Sequence, residues 1–160
     1  MKILISACLL GVNCKYDGGS NRSEALIALL SGHDVRSVCP EMLGGLPAPR
    51  RCAEIRDGRV VFEDGDDADE AFRAGARAGL SLARFLQPDL VILKSRSPSC
   101  GAGVIYDGSF SHVRVPGDGI FAAMLKAEGF RVITEEDAPF VLSENALPAE
   151  ETALQKGLLP

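Results

Sequence analysis

The sequence predicts a single-domain α/β fold, a mainly parallel sheet of about four strands with flanking helices and short β-hairpin insertions. Three observations lead there. Four short β-prone runs, at 2–7, 34–38, 89–93 and 131–134, are bounded by turn-forming residues. Segments with helical spacing lie between them, as βαβ units require. Two Asp-Gly pairs, Asp57-Gly58 and Asp107-Gly108, stand between β-prone residues, where they signal hairpins.

The first strand starts at Lys2 and is expected to end at Cys8. Val12 to Arg22 is a loop rich in turn chemistry. Ser23 can cap a helix from Glu24 to Leu30. Asp34 to Val38 forms the second strand and enters Cys39-Pro40-Glu41, after which Met42 to Pro49 reads as a loop. Ala53 to Phe62 is the first hairpin. The next helix has Asp66, Asp67, Asp69 and Glu70 around its start, where the helix dipole favours acids, and Phe72, Ala76, Leu80 and Ala83 on one face. Gln87-Pro88 stops it. Gly75 and Gly79 weaken this helix, so their expected use is close packing on the sheet.

The third strand, Asp89 to Leu93, leads into Lys94-Ser95-Arg96-Ser97-Pro98-Ser99-Cys100-Gly101, a small, polar stretch carrying one thiol. Such a loop after a buried parallel strand lies where open α/β sheets bind ligands. Val104 to Phe110 is the second hairpin candidate, Ile120 to Glu128 a helix, and Arg131 to Thr134 the fourth strand. A short helix is expected near Glu144 to Lys156.

A chain of 160 residues has the mass for one real core. Its 17 basic and 22 acidic side chains leave a net charge of −5, which argues against a broad phosphate-binding face and hence against nucleic acid. Arg50-Arg51 is too small a cluster to change that. No apolar run approaches the ~18 residues that cross a membrane. The N-terminus reads as a strand and not as a signal peptide, so the expected location is cytoplasmic. Five cysteines, an odd number, are then a poor disulfide framework.

Position separates these thiols. Cys8, Cys39 and Cys100 each follow a predicted strand, so a parallel sheet brings all three to one rim. Converging thiols suit an iron–sulfur cluster, a zinc site with three thiolates and a water, or thiol–disulfide chemistry. Spacing alone leaves these three open, beside the inert buried thiol that free Cys often is.

Ser6-Ala7-Cys8-Leu9-Leu10-Gly11 with Tyr16-Asp17-Gly18, then Val38-Cys39-Pro40-Glu41, Ser97-Pro98-Ser99-Cys100-Gly101, Ile105-Tyr106-Asp107-Gly108 and Gly117-Asp118-Gly119-Ile120 form an ordered set. This set resembles the thiouracil desulfidase family, small bacterial proteins long classed as a domain of unknown function. The resemblance spans Ile3 to Glu135. It implies a desulfidase-like domain over 1–135, with 136–160 as a C-terminal extension of the same domain. It also implies a 4Fe-4S cluster bound by Cys8, Cys39 and Cys100, with one iron lacking a protein ligand. The implied reaction is non-redox: thiouracil plus water gives uracil and hydrogen sulfide. The implied partner is a small thiolated substrate, such as 2-thiouracil.

Within that reading Glu41, two residues after Cys39, is the candidate acid/base, and Ser97 the candidate proton donor or relay. Cys14 and Cys52 stand outside the implied ligand set. Lys94, Ser95 and Ser99 position substrate or satisfy the loop backbone. His33 and His112 read as surface or turn residues. Two other classes compete: a metal or sulfur carrier using the same three cysteines, and a thiol redox protein.

Overall fold

Four parallel strands form the central sheet in the computed structural model, which describes residues 1–144. They are β1 (Lys2–Ser6), β2 (Asp34–Val38), β5 (Leu90–Leu93) and β8 (Val132–Thr134), in the order β2-β1-β5-β8. The chain goes outward from β1 to β2 and later returns to β1's other side as β5. The strand order therefore reverses between β1 and β5, which makes a crevice at their C-terminal ends. Ile3 sits opposite Leu90 and Ser6 opposite Val38, so β1, β2 and β5 end at one rim.

Alternation along the strands builds two cores. Ile3, Ile5, Leu90 and Ile92 face Leu26 and Leu30 at α1 (Glu24–Leu29) and Ala138 and Leu142 of α5 (Ala138–Glu144). Leu4, Val91 and Leu93 face Phe72, Ala76 and Leu80 of α3 (Asp69–Leu86) and Phe121 and Leu125 of α4 (Ile120–Ala127). Among the described residues no helix is long and apolar enough to cross a membrane.

The first hairpin is as expected. β3 (Ala53–Arg56) pairs antiparallel with β4 (Arg59–Phe62). Asp57 and Gly58 both have positive φ, 50° and 76°, the backbone a two-residue hairpin turn of this kind demands. Ser23 caps α1, its Oγ accepting from the Leu26 amide at 3.3 Å.

Several local details differ from expectation. Strand β1 ends at Ser6, and Cys8 lies in a 3-10 turn (Ala7–Leu10) closed by Gly11 at φ 100°. The stretch after Cys39 is partly helical: α2 (Pro40–Leu43) has Cys39 at its N-cap and Pro40, which lacks an amide to satisfy, at its first position. Helix α3 starts at Asp69; Asp66 and Asp67 precede it, Asp67 in an isolated bridge to Val61.

In the second hairpin, Asp107-Gly108 is not the two-residue turn. β6 (Val104–Tyr106) pairs with β7 (Arg114–Pro116) across a longer loop, 107–113. Gly108 is needed for close approach, since a Cβ there would stand 2.6 Å from the Ile55 carbonyl oxygen. Glu54 and Arg56 of β3 clamp this loop: Glu54 Oε2 accepts from the Gly108 and Phe110 amides at 2.9 and 3.0 Å, and Arg56 Nη2 donates to the Gly108 carbonyl at 2.7 Å. The helix expected near 144–156 lies, past Glu144, outside the described residues.

Gly75 and Gly79 serve helix–helix packing and not packing on the sheet. A Cβ on Gly75 would stand 1.8 Å from the Pro40 carbonyl oxygen, and one on Gly79 2.8 Å from the Phe121 ring. The clash at Gly75 is with backbone and cannot be relieved by a rotamer change. Gly75→Ala is expected to destabilise the protein by about 3 kcal/mol, read from urea unfolding. Because α2 follows Cys39 directly, the same change displaces the rim. Gly32→Ala, where a Cβ has open space but φ is +81°, is expected to cost only about 1 kcal/mol.

Candidate active site at the sheet rim

A cavity of about 330 Å³ opens beyond the C-terminal ends of β1, β2 and β5, and all five cysteines line it. Cys8 reaches it from the 3-10 turn, Cys39 from the N-cap of α2, and Cys100 from the loop after β5. The three predicted rim thiols do share one site. Glu41 and Ser97 line it too.

The Cys100 loop is fixed by its own small residues. Ser97 Oγ accepts from the Ser99 and Cys100 amides, both at 3.1 Å, and the Gly101 amide donates to the Ser97 carbonyl at 2.8 Å. A Cβ on Gly119 would stand 2.5 Å from the Ser99 carbonyl carbon. The Gly117-Asp118-Gly119 motif is thus a helix entry that packs on the Cys100 loop. The Ile120 and Phe121 amides are used there, donating to the Pro98 and Ser99 carbonyls at 2.9 Å each.

Glu41 occupies the first turn of α2 and faces the cavity. Arg50 Nε donates to its Oε2 at 2.8 Å, and Arg50 Nη2 donates to the same oxygen. Ser99 Oγ donates to Oε1 at 3.1 Å. Both ion-pair partners are shielded, with 5% of the Arg50 side chain and 13% of the Glu41 side chain exposed. Arg50 also donates to the Cys14 and Pro47 carbonyls at 2.8 and 3.0 Å. One guanidinium therefore ties α2, the loop after Cys8 and the 47–50 turn into a single wall.

At the crevice between β1 and β5, Lys94 Nζ donates to Ser95 Oγ at 2.8 Å and also to Glu135. Glu135 Oε2 accepts from the Ser95 amide at 2.7 Å, which closes the network across β5 and β8. Lys94 and Ser95 line the cavity, but their polar atoms are committed to this network.

Several residues enter the site unforeseen. Cys14 is buried against Cys39, and Cys52 lies further out, beside Glu54 and Glu63. Tyr16, Arg51, Glu54 and Tyr106 line the wall. His112 is exposed, as expected of a surface residue, yet it stands edge-on to Tyr106, ring centroids 6.2 Å apart, at the cavity mouth. His33 is elsewhere, its Nδ1 3.2 Å from the N-terminal amine. Cys14, six residues after Cys8 in a turn-rich loop, and Tyr16 and Tyr106, within motifs of the ordered set, carried a signal in the sequence. The others depend on long-range contacts.

Burial pushes the Cys8 thiol up, and the Cys100 thiol well up; Cys14 is pushed to about 12 by burial and by its neighbour Cys39. Redox proteins instead use thiols of lowered pKa. Among the described residues no three His, Cys, Asp or Glu side chains gather around a point suited to one metal ion. The thiols ring a cavity instead. A multi-iron group, whose ligands sit on separate metals, does not need them to converge on one point as tetrahedral zinc does.

An open parallel sheet with a thiol-lined cavity at its switch point defines an α/β protein equipped for sulfur or metal–sulfur chemistry. Residues 3–137 match the 2-thiouracil desulfurase family. The chain belongs to that family, a family of desulfurising enzymes. It is 39% identical over 150 residues to the uncharacterised protein YbbK of Bacillus subtilis (strain 168), covering 88% of this chain and 99% of that one. A solved structure described as the [4Fe-4S]-dependent thiouracil desulfidase TudS is 40% identical, with a TM-score of 0.82, over 92% of this chain and 99% of that one.

Proposed function

We propose that this protein is a non-redox, hydrolytic desulfidase acting on a thiolated nucleobase such as 2-thiouracil. The observation that carries this reading is one cavity holding three strand-end thiols and an oriented carboxylate. Cys8, Cys39 and Cys100 are the residues that would hold a 4Fe-4S cluster, leaving one iron without a protein ligand. Bound there, the cluster supplies a thiophilic Lewis acid that polarises the C=S bond.

The chain's own groups do the rest. Glu41 takes a proton from the attacking water. Arg50 holds its Oε2, so Oε1, which among the described residues accepts only from Ser99, is the oxygen with capacity to spare. The hydroxyl oxygen of Ser97 is occupied by two amides, which leaves its proton to donate to the departing sulfur or the ring nitrogen. Cys8, half-buried, and Cys100, buried, would bind iron as thiolates, so taking up the cluster would release their thiol protons. The overall balance is thiocarbonyl plus water to carbonyl plus hydrogen sulfide.

The test is oxygen-free purification, with iron and acid-labile sulfide measured beside the visible spectrum, then 2-thiouracil turnover read as sulfide and uracil. A brown protein releasing equal amounts of both is expected. A loaded protein without turnover would indicate a carrier. A colourless protein that also resists reconstitution would remove the cluster reading.

A further inference from the structure

Arg50 reaches only one oxygen of Glu41. Its Nε and Nη2 both donate to Oε2, while its Nη1 and Nη2 are also fixed on the Pro47 and Cys14 carbonyls. A carboxylate held at one oxygen is hinged there, and its other oxygen can swing. That other oxygen, Oε1, is the one assigned above to the attacking water. Among the described residues its hydrogen-bond partner is Ser99, whose Oγ donates to it at 3.1 Å.

Ser99 is itself held on every side. It is 1% exposed. Its amide donates to Ser97 Oγ at 3.1 Å. Its carbonyl accepts from the Phe121 and Ala122 amides, in the first turn of α4, at 2.9 and 3.1 Å. Ser97, Pro98 and Cys100 line the cavity and Ser99 does not, so its hydroxyl acts on Glu41 from behind and leaves the cavity side free.

We propose that Ser99 is the positioning residue that sets the base against the proton donor. Its amide holds the Ser97 hydroxyl oxygen and its hydroxyl holds Glu41 Oε1. One buried residue therefore ties together the two groups that move protons, across the 58 residues between Ser99 and Glu41. This deepens the proposed function and rests on it. The base must reach the water, and the donor the departing atom, in one geometry. A misplacement of about 1 Å can cost on the order of 100-fold in rate. Arg50 fixes where the carboxylate is; Ser99 fixes which way its reactive oxygen points.

Ser99→Ala removes the hydroxyl and keeps the amide, so Ser97 retains its contacts. The oxygen-free, loaded variant is expected to keep the parent's iron and sulfide content and KM, with kcat per loaded cluster lower by about tenfold. In a Glu41→Gln background the same change is expected to alter kcat by less than about twofold, because Ser99 acts through Glu41. Without the cluster, the carbon-13 carboxyl signal of Glu41, assigned by its loss in Glu41→Gln, is expected to shift in Ser99→Ala. A loaded Ser99→Ala protein with the parent's kcat would overturn the proposal. So would an equal loss in both backgrounds, or a folded variant that fails to load, since Ser99 would then serve only the loop. Should Ser99→Ala not fold, a crystal structure of the loaded parent decides: Ser99 Oγ within about 3.5 Å of Glu41 Oε1 is expected, and a hydroxyl turned elsewhere would overturn it. A parent that never turns over 2-thiouracil defeats the proposed function itself. An active parent with an unmoved Ser99→Ala defeats only the positioning role.

Discussion

Cys100→Ser is expected to yield a folded, colourless protein whose sulfide release falls by more than about 100-fold. Cys100 is 6% exposed, at the inner end of the cavity, on a loop whose amides are already satisfied by Ser97. Serine is close in size to cysteine and fits that space, so the fold has little reason to change. What it removes is the soft sulfur donor that iron requires. Cys8→Ser and Cys39→Ser are expected to behave alike. Iron and acid-labile sulfide, measured beside circular dichroism, check the prediction. A Cys100→Ser protein with the parent's iron content and turnover would show that Cys100 is not a ligand.

Glu41→Gln is expected to lower turnover per bound iron by about 100-fold or more, with iron and sulfide content unchanged. Glutamine preserves the shape and can still accept from Ser99. It cannot take a proton from water. The change also leaves Arg50, with a 5% exposed side chain, without its counter-charge. Breaking a buried pair in this way destabilises by about 3 kcal/mol, which urea unfolding will show. The two effects separate the roles. A carboxylate that only braces the wall would give the stability loss with normal turnover in the surviving loaded protein. A base would give the turnover loss even where the protein is fully folded.

Much of the architecture was legible because it is locally determined. The Asp57-Gly58 turn depends on two residues that tolerate positive φ, and the Ser23 cap on a hydroxyl three residues from its amide partner. Strand β2 and both strands of the first hairpin fall at the expected residues. The shared rim of Cys8, Cys39 and Cys100 was readable for a related reason. In a parallel sheet every strand ends at the same edge, so a residue just after a strand is placed without knowledge of strand order.

The environment of those thiols was not legible. Arg50 read as part of a small basic cluster, yet it holds Glu41 and spans 36 residues to the Cys14 carbonyl. Ser99 reaches Glu41 across 58 residues, and Ser6 receives the Lys94 amide across 88. The two glycines of α3 showed in the sequence as weak helix formers, but their partners, Pro40 and Phe121, belong to other helices. The 3-10 turn at Cys8 and the short helix after Cys39 depend on carbonyls and amides that only the folded rim leaves in reach.

Periodicity, turn residues and three strand-end cysteines thus determined the α/β class and the edge at which the thiols gather. Each is set by interactions within a few residues or by a rule common to all parallel sheets. Which groups face the thiols, which oxygen of Glu41 is free, and which helix each glycine touches were decided by strand order and helix packing. Those contacts join segments whose separation along the chain carries no local signal.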